Sequence, residues 1–146
     1  MINILAVEND RQIASLIYNA LSEREKFHLA IVESGYTALE AIEQKQFDII
    51  IIERDLSYMN GAKTAKKIRE RLGLQSSPFV ITAPSFTRDD VEEFLPFGIF
   101  DFWERPVGIQ RIRLTVDTVA RGWRSSRDNL VSYREFLDRN GKSDEK

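Results

Sequence analysis

Residues 47–61 read FDIIIIERDLSYMNG, and the four isoleucines Ile49–Ile52 run straight into Glu53, Arg54 and Asp55. A helix seldom carries four β-branched residues in succession, because their stiff side chains crowd the preceding turn. A strand with one wet face would alternate apolar and polar residues. An unbroken apolar run that stops abruptly at charges fits a parallel strand covered on both faces, with its carboxyl end reaching solvent. After it, Gly61 opens a helical pattern with Ala65, Ile68 and Leu72 on one face.

The same alternation extends in both directions. Short runs rich in branched residues occur at Ile2–Val7, His28–Val32, Phe47–Ile52, Phe79–Thr82 and Ile99–Trp103. Asp10 is placed to cap a helix bearing Ile13, Leu16, Ile17, Ala20 and Leu21. Ser34 precedes a second helix, with Ala38, Leu39 and Ile42 on one face. Thr87 caps a fourth, with Asp89 and Asp90 in the first turn, where the helix dipole favours anions. Pro96 and Gly98 stop it, and a fifth runs from about Val107 through Ile112, Val116 and Val119. Five successive βα units predict an α/β fold, a doubly wound five-stranded parallel sheet with helices on both faces. Residues 1–122 form this domain, and 123–146 are read as a C-terminal helical extension or linker. In the latter, Arg124–Asn129 interrupts the stripe, Leu130, Tyr133, Phe136 and Leu137 resume it, Asn140-Gly141 stops it, and Lys142–Lys146 is read as frayed. No stretch after Val107 is long enough for a winged-helix or helix-turn-helix output domain.

Composition narrows the chemistry. The chain has 146 residues, no cysteine and one histidine, His28. Thiolate metal sites, Fe–S clusters, cysteine nucleophiles and multi-histidine metal sites are therefore excluded. A net charge of −2 argues against nucleic acid as the main partner. No run approaches a membrane span, and MINILAVEND lacks the basic start and apolar length of a signal peptide, so a cytoplasmic location is expected.

Doubly wound sheets bind ligands beyond the carboxyl ends of their strands. Glu8, Asn9 and Asp10 follow the first strand; Glu53, Arg54 and Asp55 follow the third. Thr82 ends the fourth, and Glu104, Arg105 and Pro106 follow the fifth. Carboxylates suit a hard divalent cation such as Mg²⁺, and a hydroxyl with a cation suits a phosphoryl oxygen. Each residue alone has a plain structural reading; their convergence on one rim favours a site.

With these motifs in order (ILAVEND, FDIIIIERDLSYMNG, PFVITA and GIFDFWERPV) the sequence resembles the receiver domain family of response regulators, the flavodoxin-like (βα)5 fold of two-component signalling. The resemblance covers Met1 to about Gly122. It implies a switch in which an aspartate takes a phosphoryl group from a sensor histidine kinase or a small acyl phosphate, with Mg²⁺ offsetting charge. Carried over by position, the metal-binding acids fall on Glu8 and Asn9, the phosphoacceptor on Glu53, and the backbone carbonyl ligand on Asp55. Thr82 is the switch hydroxyl, Phe102 the aromatic position and Arg105 the phosphate-pairing cation. Alternating residues face opposite sides of the fifth strand, so core is the first reading for any one of its aromatics; the family's partner face implies that Phe100, Phe102 and Trp103 add to an interaction patch, meeting a signalling protein or a second copy of the chain.

Three departures gather in one pocket. Glu53 stands where the family has aspartate, and its extra methylene moves the carboxylate about 1.5 Å into the phosphoryl space, an error to which positional catalysis is sensitive. Asn9 replaces a metal-binding acid, so Mg²⁺ would be weakened or lost. Arg105 replaces lysine, a planar fork for a compact ammonium. The expectation is an atypical receiver, not an enzyme, in which Glu53 pairs with Thr82 and Arg105 and partly mimics a phosphoaspartate. The rivals are a competent receiver, with Glu8, Glu53 and Asp10 gathering Mg²⁺, and a small doubly wound enzyme or cofactor binder. No glycine-rich phosphate loop supports the latter.

Overall fold

The computed structural model describes residues 1–22, 26–73, 77–122 and 133–141. Its strands are β1 (Ile2–Val7), β2 (Phe27–Val32), β3 (Ile49–Glu53), β4 (Phe79–Ala83) and β5 (Ile99–Glu104). Its helices are α1 (Arg11–Leu21), α2 (Gly35–Gln44), α3 (Gly61–Leu72), α4 (Arg88–Phe94), α5 (Ile109–Ala120) and α6 (Tyr133–Arg139), with a 3-10 turn at Leu95–Phe97. The strands form one sheet in the order β2–β1–β3–β4–β5, and every neighbouring pair is parallel. The order reverses between β1 and β3, which makes the space beyond their carboxyl ends the place for a site.

The expected caps are present. Asp10 accepts from the amides of Gln12 and Ile13, Ser34 from Thr37, and Thr87 from Asp90, the last two within reciprocal capping boxes. Asn60 caps α3 by accepting from the Lys63 amide. The third strand begins at Ile49, two residues later than the apolar run suggested. Asp48 instead turns its carboxylate to the Asn3 amide at 2.8 Å, which ties the strand entry to β1.

Two apolar layers hold the sheet. On one face, Ile17, Ala20 and Leu21 of α1 and Ile112, Val116 and Val119 of α5 cover Ile4, Ala6, Ile49, Ile51, Val80 and Trp103. On the other, α2, α3 and α4 cover Leu5, Val7, Ile50, Ile52, Phe79, Ile81 and Phe102. All four isoleucines of β3 are buried, two to each layer, as a central parallel strand requires.

The C-terminal helix joins the second layer. Phe136 and Leu137 of α6 are buried in it, and Phe136 meets Phe86 and Phe102 edge-on at 5.7 and 5.8 Å between ring centroids. α6 therefore packs back onto the domain. The expected interruption at 124–129, Leu130 and the frayed 142–146 lie outside the described residues.

Candidate functional site

Strand register assembles the rim. Val7 of β1 lies opposite Ile52 of β3, so the next residues, Glu8 and Glu53, leave adjacent strands at the same level. On the other side Glu53 is itself the register partner of Thr82. Beyond β5, the Arg105 amide donates to the Ala83 carbonyl at 3.0 Å, bringing the arginine in beside Thr82. Gly61 closes the loop after β3 by donating its amide to the Arg54 carbonyl at 2.8 Å. No larger residue fits there, because a Cβ would press on the Glu53 carbonyl oxygen and lie 2.7 Å from Arg54 Cα.

Glu53, Thr82 and Glu8 are 3%, 1% and 3% exposed, so every polar atom they carry needs a partner within the protein. The Glu53 carboxylate has four. The Thr82 hydroxyl donates to Oε2 at 2.8 Å, and Arg105 Nη1 donates to the same oxygen. Arg105 Nη2 donates to Oε1 at 3.3 Å, and the Asp55 amide reaches that oxygen at 3.2 Å. The guanidinium thus grips both carboxylate oxygens in a fork, which is the geometry that separates arginine from lysine. Burial works against the Arg105 charge, but the Glu53 hydrogen bond and the nearby Glu53 and Glu8 carboxylates hold its pKa above the ordinary value.

Glu8 sits beside this pair. Its Oε2 accepts from the Asp10 amide at 3.1 Å and its Oε1 lies 3.7 Å from Arg105 Nη1. Burial pushes its carboxyl up from 4.5 to about 7; the Asp10 amide and Arg105 oppose this, and Glu53 adds to it. Asn9 and Asp10 are exposed, and Asp10 is occupied as the α1 cap. Arg54 holds Asp55 through two nitrogens at 2.8 and 2.9 Å and reaches Asp90 at 3.1 Å, bracing the β3–α3 loop against α4. The hydrogen bond from Arg54 keeps the Asp55 carboxyl below its usual range.

The positive charge at this rim comes from Arg105. Glu8 and Glu53 turn toward a guanidinium, which supplies the positive charge that a cation would otherwise bring. Among the described residues, no three acidic or histidine side chains converge as a metal cluster.

The aromatic patch differs from expectation. Phe102 and Trp103 are fully buried, in opposite layers, and Phe100 is half-buried. Helices cover both faces of β5, which buries Phe102 and Trp103, and a bulge sets Phe100 apart: Phe79 pairs with Ile99 but Val80 pairs with Asp101, leaving Phe100 as an extra residue. Simple alternation would put Phe100 and Phe102 on one face; the bulge separates them. Phe102 is enclosed by Phe86, Phe94 and Phe136 at 5.2, 6.3 and 5.8 Å. None of Phe100, Phe102 and Trp103 forms an open docking surface.

Sequence reasoning missed Asp101. Only 4% exposed, it accepts from Trp103 Nε1 at 3.1 Å and from the Phe102 amide at 2.9 Å. Arg111 of α5 grips both its oxygens at 3.0 to 3.2 Å, and Arg139 of α6 donates to Oδ1 at 3.1 Å. The signal was available: an acid inside the apolar run IFDFW must find charged partners if it is buried.

With this geometry in place, residues 4–117 match the response regulator receiver domain family. The chain belongs to that family. Among curated proteins, the receiver is 29% identical over 118 residues to the transcriptional regulatory protein CutR of Streptomyces coelicolor, covering 81% of this chain and 53% of CutR. It is 29% identical over 138 residues to the response regulator ArlR of Staphylococcus saprophyticus, covering 94% of this chain and 60% of ArlR. The chain thus spans little more than half the length of these relatives. Among solved structures, the chemotaxis protein CheY4 of Vibrio cholerae superposes with a TM-score of 0.74 at 19% identity, over 82% of this chain and 98% of that one. A two-component response regulator from Clostridium difficile gives 0.75 at 20% identity, over 84% and 98%. These likenesses establish the receiver fold. Among the described residues, no helix is long and apolar enough to cross a membrane.

Proposed function

We propose that this receiver is an atypical one, which signals through protein–protein contact in a two-component system without passing through a phosphorylated state. The observation that carries the reading is the Glu53 carboxylate, buried and bonded by Thr82, by both terminal nitrogens of Arg105 and by the Asp55 amide. An acceptor must present a free oxygen lone pair to an incoming phosphorus, in line with its leaving group. Here the oxygens are committed, and the two groups that would steady a transferred phosphoryl group are spent on the carboxylate itself.

Glu53 then acts as a built-in, partial stand-in for a phosphoaspartate, with one charge and two oxygens in place of a dianion and three. The switch is held in one arrangement, Mg²⁺ is not retained, and the domain turns over no substrate. Its partner is a sensor histidine kinase or another signalling protein, read by surface contact.

Intact mass after incubation with a small acyl phosphate, with and without Mg²⁺, tests this beside a Glu53→Gln control. The expected result is no adduct under either condition in a protein that melts cooperatively. A Mg²⁺-dependent phosphoryl adduct, absent from the control, would establish a competent receiver and overturn the reading.

A further inference from the structure

The two edges of the sheet are finished differently. At β5, carbonyls that face away from β4 are taken by arginines: Phe100 accepts from Arg139 at 2.7 Å and Phe102 from Arg111 at 3.0 Å. The other edge strand, β2, pairs with β1 alone. The Lys26 and Val32 carbonyls accept from the Ile2 and Glu8 amides at 2.8 and 2.9 Å, so the even-numbered residues of this segment turn their backbone groups toward β1. Alternation points the amides and carbonyls of Phe27, Leu29 and Ile31 outward. Among the described residues, no loop or side chain bonds to these outward groups.

Edge strands are ordinarily blunted by lysine, proline, a bulge or an inward charge. Phe27–Val32 reads FHLAIV, with no lysine, proline, glycine or carboxylate, and it follows β1 in unbroken register. Ile31 is 38% exposed, and no residue of the strand is fully buried, whereas β3 and β4 are buried throughout. Such an edge is a template for one more strand. The flanking residues say which strand. Lys26 precedes β2 and Glu33 follows it, both exposed. An antiparallel pair about a two-fold axis through Ala30 sets Leu29 opposite the partner's Ile31 and His28 opposite the partner's Val32. At each end Lys26 comes beside the partner's Glu33, and no like charges meet. The residue on the axis makes a non-hydrogen-bonded pair with its own copy, with Cα atoms about 4.5 Å apart, where alanine is small enough to fit. The outward groups of Leu29 and Ile31 are the ones that bond across this joint.

We infer that β2 is a self-association edge, through which two copies of this chain join antiparallel, β2 to β2, into one continuous sheet. The joint lies at the edge of the sheet remote from β5 and Arg105. It rests on the edge strand alone, and it stands whichever way the acyl-phosphate experiment falls.

Two measurements on the full chain test it. In sedimentation equilibrium the weight-average mass is expected to rise from one chain at about 5 μM toward two at about 500 μM, the weak association of a small joint. Hydrogen exchange at the same two concentrations should slow at least threefold for the Leu29 and Ile31 amides, which face outward. The Ala30 and Val32 amides, already turned to β1, should change less than twofold. A chain that stays monomeric, or a dimer in which the Leu29 and Ile31 amides gain no protection, would overturn the inference. These readouts need no variant to fold.

Two variants, each checked for a cooperative melt, then locate the joint. Ile31→Lys sets a charge on the edge and should raise the dimer dissociation constant about tenfold or more. Leu114→Lys alters the most exposed apolar side chain of α5, at 61%, and should leave that constant within twofold of the unmodified chain's. A dimer indifferent to Ile31→Lys, or one lost in Leu114→Lys, would place the contact on another face and overturn the proposal.

Discussion

Replacing Glu8 by glutamine tests the electrostatics of the rim directly. Glu8 is buried, and its carboxyl is pushed from 4.5 to about 7, burial being the main cause. A carboxyl raised on folding binds its proton more tightly in the native state than in the unfolded chain. Its stabilising contribution is therefore complete below pH 4.5 and lost as pH rises through about 7. Glutamine is nearly isosteric, keeps an oxygen for the Asp10 amide and has no proton to lose. The stability of Glu8→Gln relative to the unmodified protein should therefore climb with pH. Linkage puts the difference at about 1 kcal/mol at pH 5 and about 3 kcal/mol at pH 8 in favour of the variant. Urea unfolding followed by circular dichroism at pH 5, 6.5 and 8, with a chelator present, measures the two curves. Parallel curves, differing by a constant within about 0.5 kcal/mol, would show that Glu8 is not proton-held and refute the reasoning.

Arg105→Met strips the Glu53 carboxylate of its fork while leaving it buried, and should cost about 2–4 kcal/mol in urea unfolding at pH 7. Adding Glu53→Gln to that variant should recover more than half of the loss, since an amide needs no counter-charge; additive losses would show the pair to be uncoupled. Gly61→Ala forces a methyl group against the Glu53 carbonyl and Arg54 Cα. Its melting temperature should fall by several degrees, the strain of about 2 kcal/mol outweighing the ~1 kcal/mol alanine gains in a helix. Asp101→Asn removes the charge that Arg111 and Arg139 share while keeping an acceptor for Trp103. A loss of about 1–3 kcal/mol is expected, together with faster exchange at α6 amides, and unchanged α6 exchange would show that the ion pair does not hold the helix.

The sheet and its caps were legible because their determinants are local. Ile49–Ile52 declares a central parallel strand by composition alone, and Asp10, Ser34 and Thr87 cap helices through atoms three residues away or fewer. The meeting of Glu53, Thr82 and Arg105 was also legible, since parallel strands ending at one level deliver their next residues to one rim. Phe102 and Trp103 are buried, as the core reading of these aromatics has it, and what stayed hidden was the side taken by Phe100, because a bulge leaves no trace in hydrophobic periodicity. The seating of α6 was left open because its anchors, Asp101, Arg111 and Arg139, are separated by 10 and 38 residues counted from Asp101. A buried acid among aromatics announces that it needs cations; it does not say which ones.

The three departures at the rim form one charge balance. Two buried carboxylates beside one guanidinium leave an excess negative charge, which a divalent cation or a proton must offset in a poorly solvated site. With the Glu8 carboxyl at about 7, a proton serves near neutrality, and Glu53 and Arg105 then form a neutral pair. An aspartate at position 9, on the exposed side of the rim, would add another negative charge; Asn9 does not. A lysine at position 105 would offer a point charge in place of a fork, leaving one Glu53 oxygen to Thr82 alone or to the Asp55 amide alone. An aspartate at position 53 would draw the carboxylate back by about one bond, away from both groups that now hold it. Each departure thus closes a need opened by the others. That is why the proposed loss of phosphoryl transfer rests on the set and not on Glu53 alone.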